Sequence, residues 1–349
     1  MTGINRRGEL IRKFITENVE KHPSEIAKIT ADEFQISRQA VNKHLSRLVA
    51  EKTLTTEGST RNRVYRLHPI VSWIGSYDLT KPLEEDAVWR EQIASRIGEM
   101  PDNVAGIWNY CFTEMLNNTI DHSGGSTVAI ILKRTALTME ITISDDGVGI
   151  FEKIQKALNL TDPRHAVLEL AKGKLTTDPA NHSGEGIFFT SRMCDLFGIL
   201  SGTTYFSHHF NTPQDWILET DNRVKKGTAV FMKLNNHTSR TVQKVFNEYS
   251  DVDAGFNKTV VPVTLAQYEK ELLVSRSQAK RVLARVDRFA HVIFDFDKVG
   301  SIGQAFADEI FRVFASQHPE VELSAINTFP EVQQMINRAI ALKAESESD

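Results

Sequence analysis

The chain has 349 residues, and this length predicts more than one core. The composition, 41% hydrophobic and 25% charged, predicts a soluble globular protein. It has no apolar run as long as a membrane helix requires, and the first ten residues lack the apolar segment of a signal peptide. The net charge is −4, but residues 1–68 hold thirteen Lys and Arg against eight Asp and Glu, so this part carries +5 and the remainder −9. Both cysteines, Cys111 and Cys194, lie in apolar helical patterns and are expected to be buried free thiols. We therefore expect a cytoplasmic protein with a basic N-terminal part that faces nucleic acid.

The first 68 residues predict three helices and a hairpin. Residues 6–21 have apolar side chains at helical spacing, and Ser24 and Ser37 are predicted to cap the second and third helices. Two short alternating runs flank Gly58 and predict a β-hairpin. Three helices followed by a basic hairpin resemble the winged helix-turn-helix family. That resemblance implies that residues 1–68 bind double-stranded DNA, with the third helix in the major groove and the hairpin against the backbone.

The candidate DNA contacts lie on the third helix and on the hairpin. Arg and Lys suit guanine, Asn and Gln suit adenine, and basic hairpin side chains suit phosphates. The residues assigned to DNA are Arg38, Gln39, Asn42 and Lys43 on the helix and Arg61 and Arg63 on the hairpin. A winged helix that binds protein instead is the alternative. Because winged-helix regulators usually bind paired half-sites, we expect a homodimer.

Residues 69–102 predict a helical connector, and a long helix follows to His122. Glu114 and Asn118 are four residues apart on this helix, so both project from one face. The amide oxygen of Asn118 is a suitable ligand for Mg²⁺, and the carboxylate of Glu114 could polarise an attacking water or hydroxyl.

A second motif follows a predicted strand, as Asp145-Asp146-Gly147-Val148-Gly149. Its glycines would let the backbone approach a ligand closely. An aspartate at the end of a strand could accept a hydrogen bond from an exocyclic amine such as that of adenine. Taken alone, the pattern could also be an ordinary turn.

Residues 151–182 are polar and mixed, and a segment of this length between two ligand loops predicts a mobile lid. Its candidate phosphate contacts are Lys172, Lys174, Thr176 and His182. The run Ser183-Gly184-Glu185-Gly186-Ile187 then opens a helix, which predicts an anion site of backbone N–H groups. Further on, Gly227 precedes Thr228 at the start of a strand, where Thr228 could reach a phosphate or Asp145.

Four motifs, in this order, resemble those of the Bergerat-fold (GHKL-type) ATPases. The matching residues are Glu114, Asn118 and His122 for the N-box, Asp145, Gly147 and Gly149 for the D-x-G-x-G box, Gly184 and Gly186 for the second glycine box, and Gly227 with Thr228 for the closing pair. The resemblance implies that residues 103–235 form an α/β sandwich that holds ATP and Mg²⁺ under a lid.

Within that family Asp145 would hold adenine, Asn118 the metal, and Glu114 would act as general base. Lys174 of the lid and Thr228 would contact ATP as well. The chain departs from the family at Glu185, because a carboxylate in a phosphate loop repels the ligand. A sensor histidine kinase is not expected, since residues 81–102 contain no histidine.

Residues 236–256 predict a polar linker with one helix, and residues 257–344 alternate between strands and helices, which predicts a small α/β domain. This last part resembles STAS-like domains, the fold of anti-anti-sigma factors. Ser301 lies near the phosphoacceptor position of that family, and a helix cap is its alternative role. The tail 344–349 is expected to be disordered.

The sequence thus predicts a multi-domain α+β protein with a winged helix, a GHKL-type ATPase domain and a STAS-like domain that could dock a protein partner. We expect Mg-ATP occupancy to control DNA or partner binding. The alternatives are an anti-sigma-type serine/threonine kinase acting on its own STAS-like domain or on a partner, and a scaffold that binds nucleotide with little hydrolysis.

Overall fold

The computed structural model describes residues 3–59, 62–175, 184–210, 215–251, 255–267 and 271–346. Helices pack against a five-stranded sheet and a separate three-stranded sheet. This mixed arrangement is consistent with the multi-domain α+β class expected from the sequence. None of the helices within these ranges is both long enough and apolar enough to cross a membrane.

The N-terminal unit, residues 3–67, consists of three helices and one hairpin. Its elements are α1 (Gly3–Asn18), α2 (Ile26–Phe34), α3 (Arg38–Ala50), β1 (Leu54–Glu57) and β2 (Val64–Leu67), and the two strands pair antiparallel. The unit has its own core because apolar side chains three and four residues apart, such as Val41, Leu45 and Leu48 of α3, face inward together.

The two predicted helix caps have different outcomes. Ser37 does cap α3, since its Oγ accepts a hydrogen bond from the backbone N–H of Ala40 at 3.2 Å. The predicted cap at Ser24 is wrong. The helix begins one residue later, and Glu25 takes the cap position without a side-chain capping bond.

The predicted helical connector, 69–102, instead begins with a strand of the central sheet. The strand β3 (Val71–Asp78) pairs antiparallel with β4 (Thr127–Arg134) and forms one edge of the five-stranded sheet. Only three residues separate β2 from β3. The helical part of this segment follows as α4 (Glu85–Val88), a π-helical turn (Trp89–Ala94) and α5 (Ser95–Ile97).

The central unit, residues 71–249, is built around this five-stranded sheet. Its remaining elements are α6 (Asp102–His122), β5 (Thr138–Asp145), α7 (Ile150–Ala157), α8 (Pro163–Lys172), α9 (Gly186–Met193), β6 (Leu196–His209), β7 (Asp215–Asn235) and α10 (Val242–Tyr249). The sheet order is β3-β4-β5-β7-β6, and each neighbouring pair is antiparallel. The strands predicted separately before and after Lys226 are one continuous strand, β7.

The long helix α6 covers the sheet because its apolar residues recur at helical spacing. Trp108, Cys111, Phe112 and Met115 are buried in one core with Ile141 and other inward-facing strand residues. Cys111 and Cys194 are buried free thiols, as the sequence predicted.

The predicted linker, 236–256, is instead part of the core. It forms α10 and a short antiparallel pair, β8 (Ser250–Asp251) and β9 (Gly255–Phe256). The ring of Phe256 lies 4.7 Å from that of Phe188 in α9 and 5.2 Å from that of Phe289, measured between centroids. The apolar side chains of this polar-looking segment therefore join the central unit to the C-terminal one.

The C-terminal unit, residues 257–346, has a parallel three-stranded sheet of order β10-β11-β12, flanked by helices. Its elements are β10 (Lys258–Pro262), α11 (Arg276–Leu283), β11 (His291–Asp295), α12 (Gln304–Asp308), a π-helical turn (Glu309–Phe314), α13 (Ala315–Gln317), β12 (Glu322–Ile326) and α14 (Pro330–Ser346). The predicted disordered tail is partly helical, because α14 continues to Ser346.

Phe256→Ala should lower the free energy of unfolding by about 3 to 5 kcal/mol, the usual cost of removing a buried phenyl ring. Phe256 is buried between rings of the central and C-terminal units. The measurement is urea unfolding followed by tryptophan fluorescence. Ile74→Ala is the matched control, since Ile74 is 70% exposed and its removal should change little. Equal losses for both variants would contradict this description of the cluster.

Candidate functional site

Most residues assigned to catalysis or ATP line one cavity between α6, the sheet and the loops around α7 and α9. Those that line it are Glu114, Asn118, His122, Asp145, Gly149, Gly184, Gly186 and Thr228. The cavity has a volume of about 140 Å³. Gly147 does not line the cavity, but its backbone N–H donates to Asp145 Oδ1 at 2.8 Å.

Asp145 is a buried acceptor that lines this cavity. It ends β5. Its Oδ1 accepts hydrogen bonds from the backbone N–H groups of Gly147, at 2.8 Å, and Thr228, at 3.3 Å. Burial raises the pKa of the carboxyl, and these two hydrogen bonds oppose that rise. The carboxylate is therefore held in a fixed orientation that can accept a further donor from a ligand.

Asp146 fixes the same loop from the outside. Its Oδ1 accepts from the backbone N–H groups of Ser126, at 2.7 Å, and Thr127, at 2.9 Å. Together with the Ser126 hydroxyl, which also donates to Asp146, these bonds lower the pKa of this exposed carboxyl. The second aspartate of the motif thus anchors the loop to β4, a role that the sequence did not suggest.

Two glycines are required because other chain segments come very close. A Cβ on Gly147 would lie 2.2 Å from the carbonyl oxygen of Ser123, and one on Gly227 would lie 1.9 Å from that of Asp145. Gly227 also has a φ of +86°, which residues with a Cβ rarely adopt. The part of β7 just before Thr228 therefore packs directly on the end of β5.

Glu114 lies against the start of α9. A Cβ on Gly186 would be 2.1 Å from Glu114 Oε2, so a larger residue there would displace this carboxylate. Burial raises the pKa of the nearby Tyr110, and the charge of Glu114 adds to that rise.

Glu185 occupies the N-cap position of α9. Burial raises its pKa, while the positive charge of Lys174 opposes the shift.

Lys153 is a site residue that the sequence interpretation missed. It lies on α7, lines the cavity, and its Nζ donates to the carbonyl oxygen of His122 at 2.7 Å. Because it follows Gly149 by four residues, one helical turn brings its side chain back towards the loop. This spacing could have revealed it.

The two lysines assigned to phosphate contact the C-terminal unit instead. Lys172 Nζ donates to Glu169 Oε1 at 2.7 Å and to the carbonyl of Ala284 at 2.8 Å. Lys174 Nζ donates to the carbonyl of Arg288 at 2.8 Å and lies 4.6 Å from the centre of the Phe289 ring. Neither lysine lines the cavity in this structure.

The helical part of the segment predicted as a mobile lid, α8, is packed into the fold. From His165 to Lys172 the residues of α8 are all buried against neighbouring elements, because the C-terminal unit covers their outer side. Thr176 and His182, the other two candidate phosphate contacts, lie outside the described residues.

The candidate DNA contacts lie on an exposed surface. Arg38, Gln39, Asn42 and Lys43 are all exposed on α3, and Arg63 is exposed beside β2. Arg61 lies outside the described residues. Because these side chains are exposed, they are accessible to a partner.

Ser301 is exposed in the C-terminal unit, but its predicted alternative role as a helix cap is wrong. The helix α12 begins after Gly303, which offers no side chain for capping. Nearby, Asp295 Oδ1 accepts from the side-chain amide of Asn327 at 2.9 Å. Across the described residues, no group of three or more His, Cys, Asp and Glu side chains is arranged to hold a metal ion.

Comparison with known proteins assigns one part of the chain. Residues 278–333 match the family described as a STAS-like domain of unknown function (DUF4325). The match supports the STAS-like character expected of the C-terminal unit. No curated protein matches the chain.

Gly227→Ala should destabilise the protein by more than about 1 kcal/mol, because it adds both a backbone clash and an unfavourable φ. Gly106→Ala provides the opposite control. Gly106 lies in α6 with nothing within 4 Å of an added Cβ, so alanine should stabilise the helix by about 0.5 to 1 kcal/mol. Urea unfolding of both variants tests this, and a neutral Gly227→Ala would contradict the close packing on β5.

Proposed function

We propose that the chain is an ATP-binding, DNA-linked regulator in which Mg-ATP occupancy of the cavity controls DNA or partner binding. The observation that carries this proposal is the convergence of Asn118, Asp145 and Gly186 on one cavity, although they are far apart in the sequence. This convergence supports the resemblance to GHKL-type ATPases on which the proposal rests.

The lining chemistry fits an adenine base. The walls near Asp145 are apolar, since Met115, Ile154 and Val230 line the same cavity. A buried carboxylate oxygen among apolar walls suits an exocyclic amine attached to a flat ring. Asp145 would therefore hold the amine, while the apolar side chains would contact the faces of the ring.

The part of the cavity beside α9 fits phosphates. Gly184 and Gly186 line it where α9 begins, and backbone N–H groups at the start of a helix attract anions. Lys153 of α7 adds a positive charge to the same cavity. The carboxylates of Glu114 and Glu185 work against a bare polyanion here, so a cation must accompany the phosphates.

Asn118 offers an amide oxygen and Glu114 a carboxylate oxygen, which are the hard ligands that Mg²⁺ accepts. When bound, Mg²⁺ would neutralise phosphate charge. Glu114 is positioned to accept a proton from an attacking water, and this would make the protein a slow ATPase. Asn118 would coordinate the metal. His122, which is on the same face of α6, would contact ATP.

The N-terminal unit supports the DNA part of the proposal. Four exposed polar and basic side chains lie on one side of α3, next to a hairpin with the exposed Arg63. ATP can change DNA affinity only if it binds two conformations differently, and a tenfold difference corresponds to about 1.4 kcal/mol. A homodimer on paired half-sites and a cytoplasmic location are further predictions of this proposal.

Lys153→Met should weaken Mg-ATP binding about tenfold and leave adenosine binding within about twofold, because only ATP carries the phosphates that the ammonium would contact. Isothermal titration calorimetry with both ligands measures this. The matched control is Lys156→Met, since Lys156 lies on the same helix but is exposed and pairs with Glu152. Equal losses for ATP and adenosine would mean that Lys153 only supports the fold.

Mg-ATP should change the affinity for a duplex selected by the protein from a random pool by at least about fivefold. Asn118→Ala should keep the nucleotide-free DNA affinity and lose the change, whereas Asn109→Ala, on the exposed side of α6, should behave as wild type. Fluorescence anisotropy provides the measurement. Identical DNA affinity with and without Mg-ATP would overturn the proposal, and transfer of labelled phosphate to Ser301 would favour the kinase.

A further inference from the structure

The helix α8 forms a shared wall between the cavity and the C-terminal unit. Leu170 lines the cavity. On the same helix, Glu169 and Lys172 make contacts with the C-terminal unit. A helix with one side on a ligand cavity and the other on a separate unit can connect the two.

Buried charges hold α8 to the C-terminal unit. Lys172 is only 1% exposed and Glu169 only 4%, and their 2.7 Å ion pair is extended by Arg285, whose NH1 lies 3.3 Å from Glu169 Oε2. The ammonium of Lys172 also donates to the carbonyls of Ala284 and Arg281, at 2.8 and 3.1 Å, where α11 ends. Every buried charge in this network thus has a partner of opposite charge or a carbonyl acceptor.

Hydrogen bonds to backbone carbonyls reinforce the same contact. The hydroxyl of Thr259 in β10 donates to the carbonyl of Lys172 at 2.7 Å. Arg285 also donates to the carbonyl of Lys174. The C-terminal unit therefore satisfies the last carbonyl of α8 and the segment that leads from it towards Gly184.

A second wall of the cavity is supported in the same way. Phe188 lines the cavity from α9 and contacts Phe256, which in turn packs on Phe289 of the C-terminal unit. Leu170 and Phe188 are thus both held in place by contacts that end in the C-terminal unit.

Loss of these contacts would change the walls of the cavity. If the C-terminal unit moved away, Lys172 would lose its two carbonyl acceptors and Glu169 would lose Arg285. Water would then replace these partners, but a ten-residue helix is only marginally stable without tertiary packing, so α8 would lose its fixed position. Leu170 lies on the same short helix and would move with it.

We propose that the STAS-like C-terminal unit is an intramolecular partner that completes the cavity, so that ligand binding and docking of this unit on α8 strengthen each other. The proposal rests on the proposed nucleotide site and adds its regulation. Whatever pulls the C-terminal unit away from α8 lowers nucleotide affinity. By thermodynamic reciprocity, nucleotide binding tightens the contact by the same factor.

The test uses the full chain and two variants of the docking surface. Arg285→Met removes the charge that faces Glu169, and Thr259→Val removes one hydrogen bond while preserving shape. We expect Mg-ATP affinity to fall about tenfold and about threefold, respectively, within the range typical of coupled sites. Arg312→Met is the control, because Arg312 pairs with Asp308 inside the C-terminal unit, at 2.8 Å.

Hydrogen exchange gives a readout that does not need nucleotide. Residues 163–172 should exchange faster in both docking variants than in wild type, and Mg-ATP should slow exchange of residues 281–288 in wild type. Wild-type nucleotide affinity in both docking variants, or an equal loss in Arg312→Met, would overturn the proposal. If the wild-type chain binds no Mg-ATP, the proposed function and the linkage both fail, and the nucleotide-free exchange of residues 163–172 still decides whether the C-terminal unit holds α8.

Discussion

The arrangement of the central and C-terminal units depends on the hydrogen bonds of the Lys172 ammonium group. It is almost completely buried, and it bonds at once to a carboxylate of its own helix and to carbonyls where α11 ends. Burial alone lowers the pKa of this lysine, and Glu169 opposes that shift. Removing one partner of a buried charge is strongly destabilising, and the docked arrangement gives each of these charges a partner.

The cavity depends on a different principle, which is close approach of backbone segments. Gly147, Gly186 and Gly227 each lie where a single added carbon would collide with a carbonyl or carboxylate oxygen. The part of β7 just before Thr228 therefore packs on the end of β5, and Glu114 of α6 packs on the start of α9. Asp145, a buried acceptor, lines the resulting cavity together with Gly186 and apolar side chains such as Met115, Ile154 and Val230.

The sequence predicted the parts of the site that depend on local spacing. Glu114 and Asn118 share one helical face, and the glycine motifs follow or precede regular elements, so their positions could be inferred from periodicity. The sequence could not indicate contacts that are made by segments far away in the chain. Lys172 and Lys174 look like phosphate ligands beside a glycine loop, but carbonyls more than a hundred residues away bind both. Residues 236–256 look like a linker because polar residues surround the few aromatic ones that fill the core.

The short connection between β2 and β3 limits how the N-terminal unit can respond. Three residues span at most about 10 Å when fully extended. The backbone N–H of Ile70 within this connection also donates to the carbonyl of Arg134 at 2.7 Å, and Leu137 packs against the N-terminal core. The N-terminal unit is therefore held close to β3, the edge strand of the central sheet. Any change in its orientation relative to that sheet has to alter the contacts of Ile70 and Leu137.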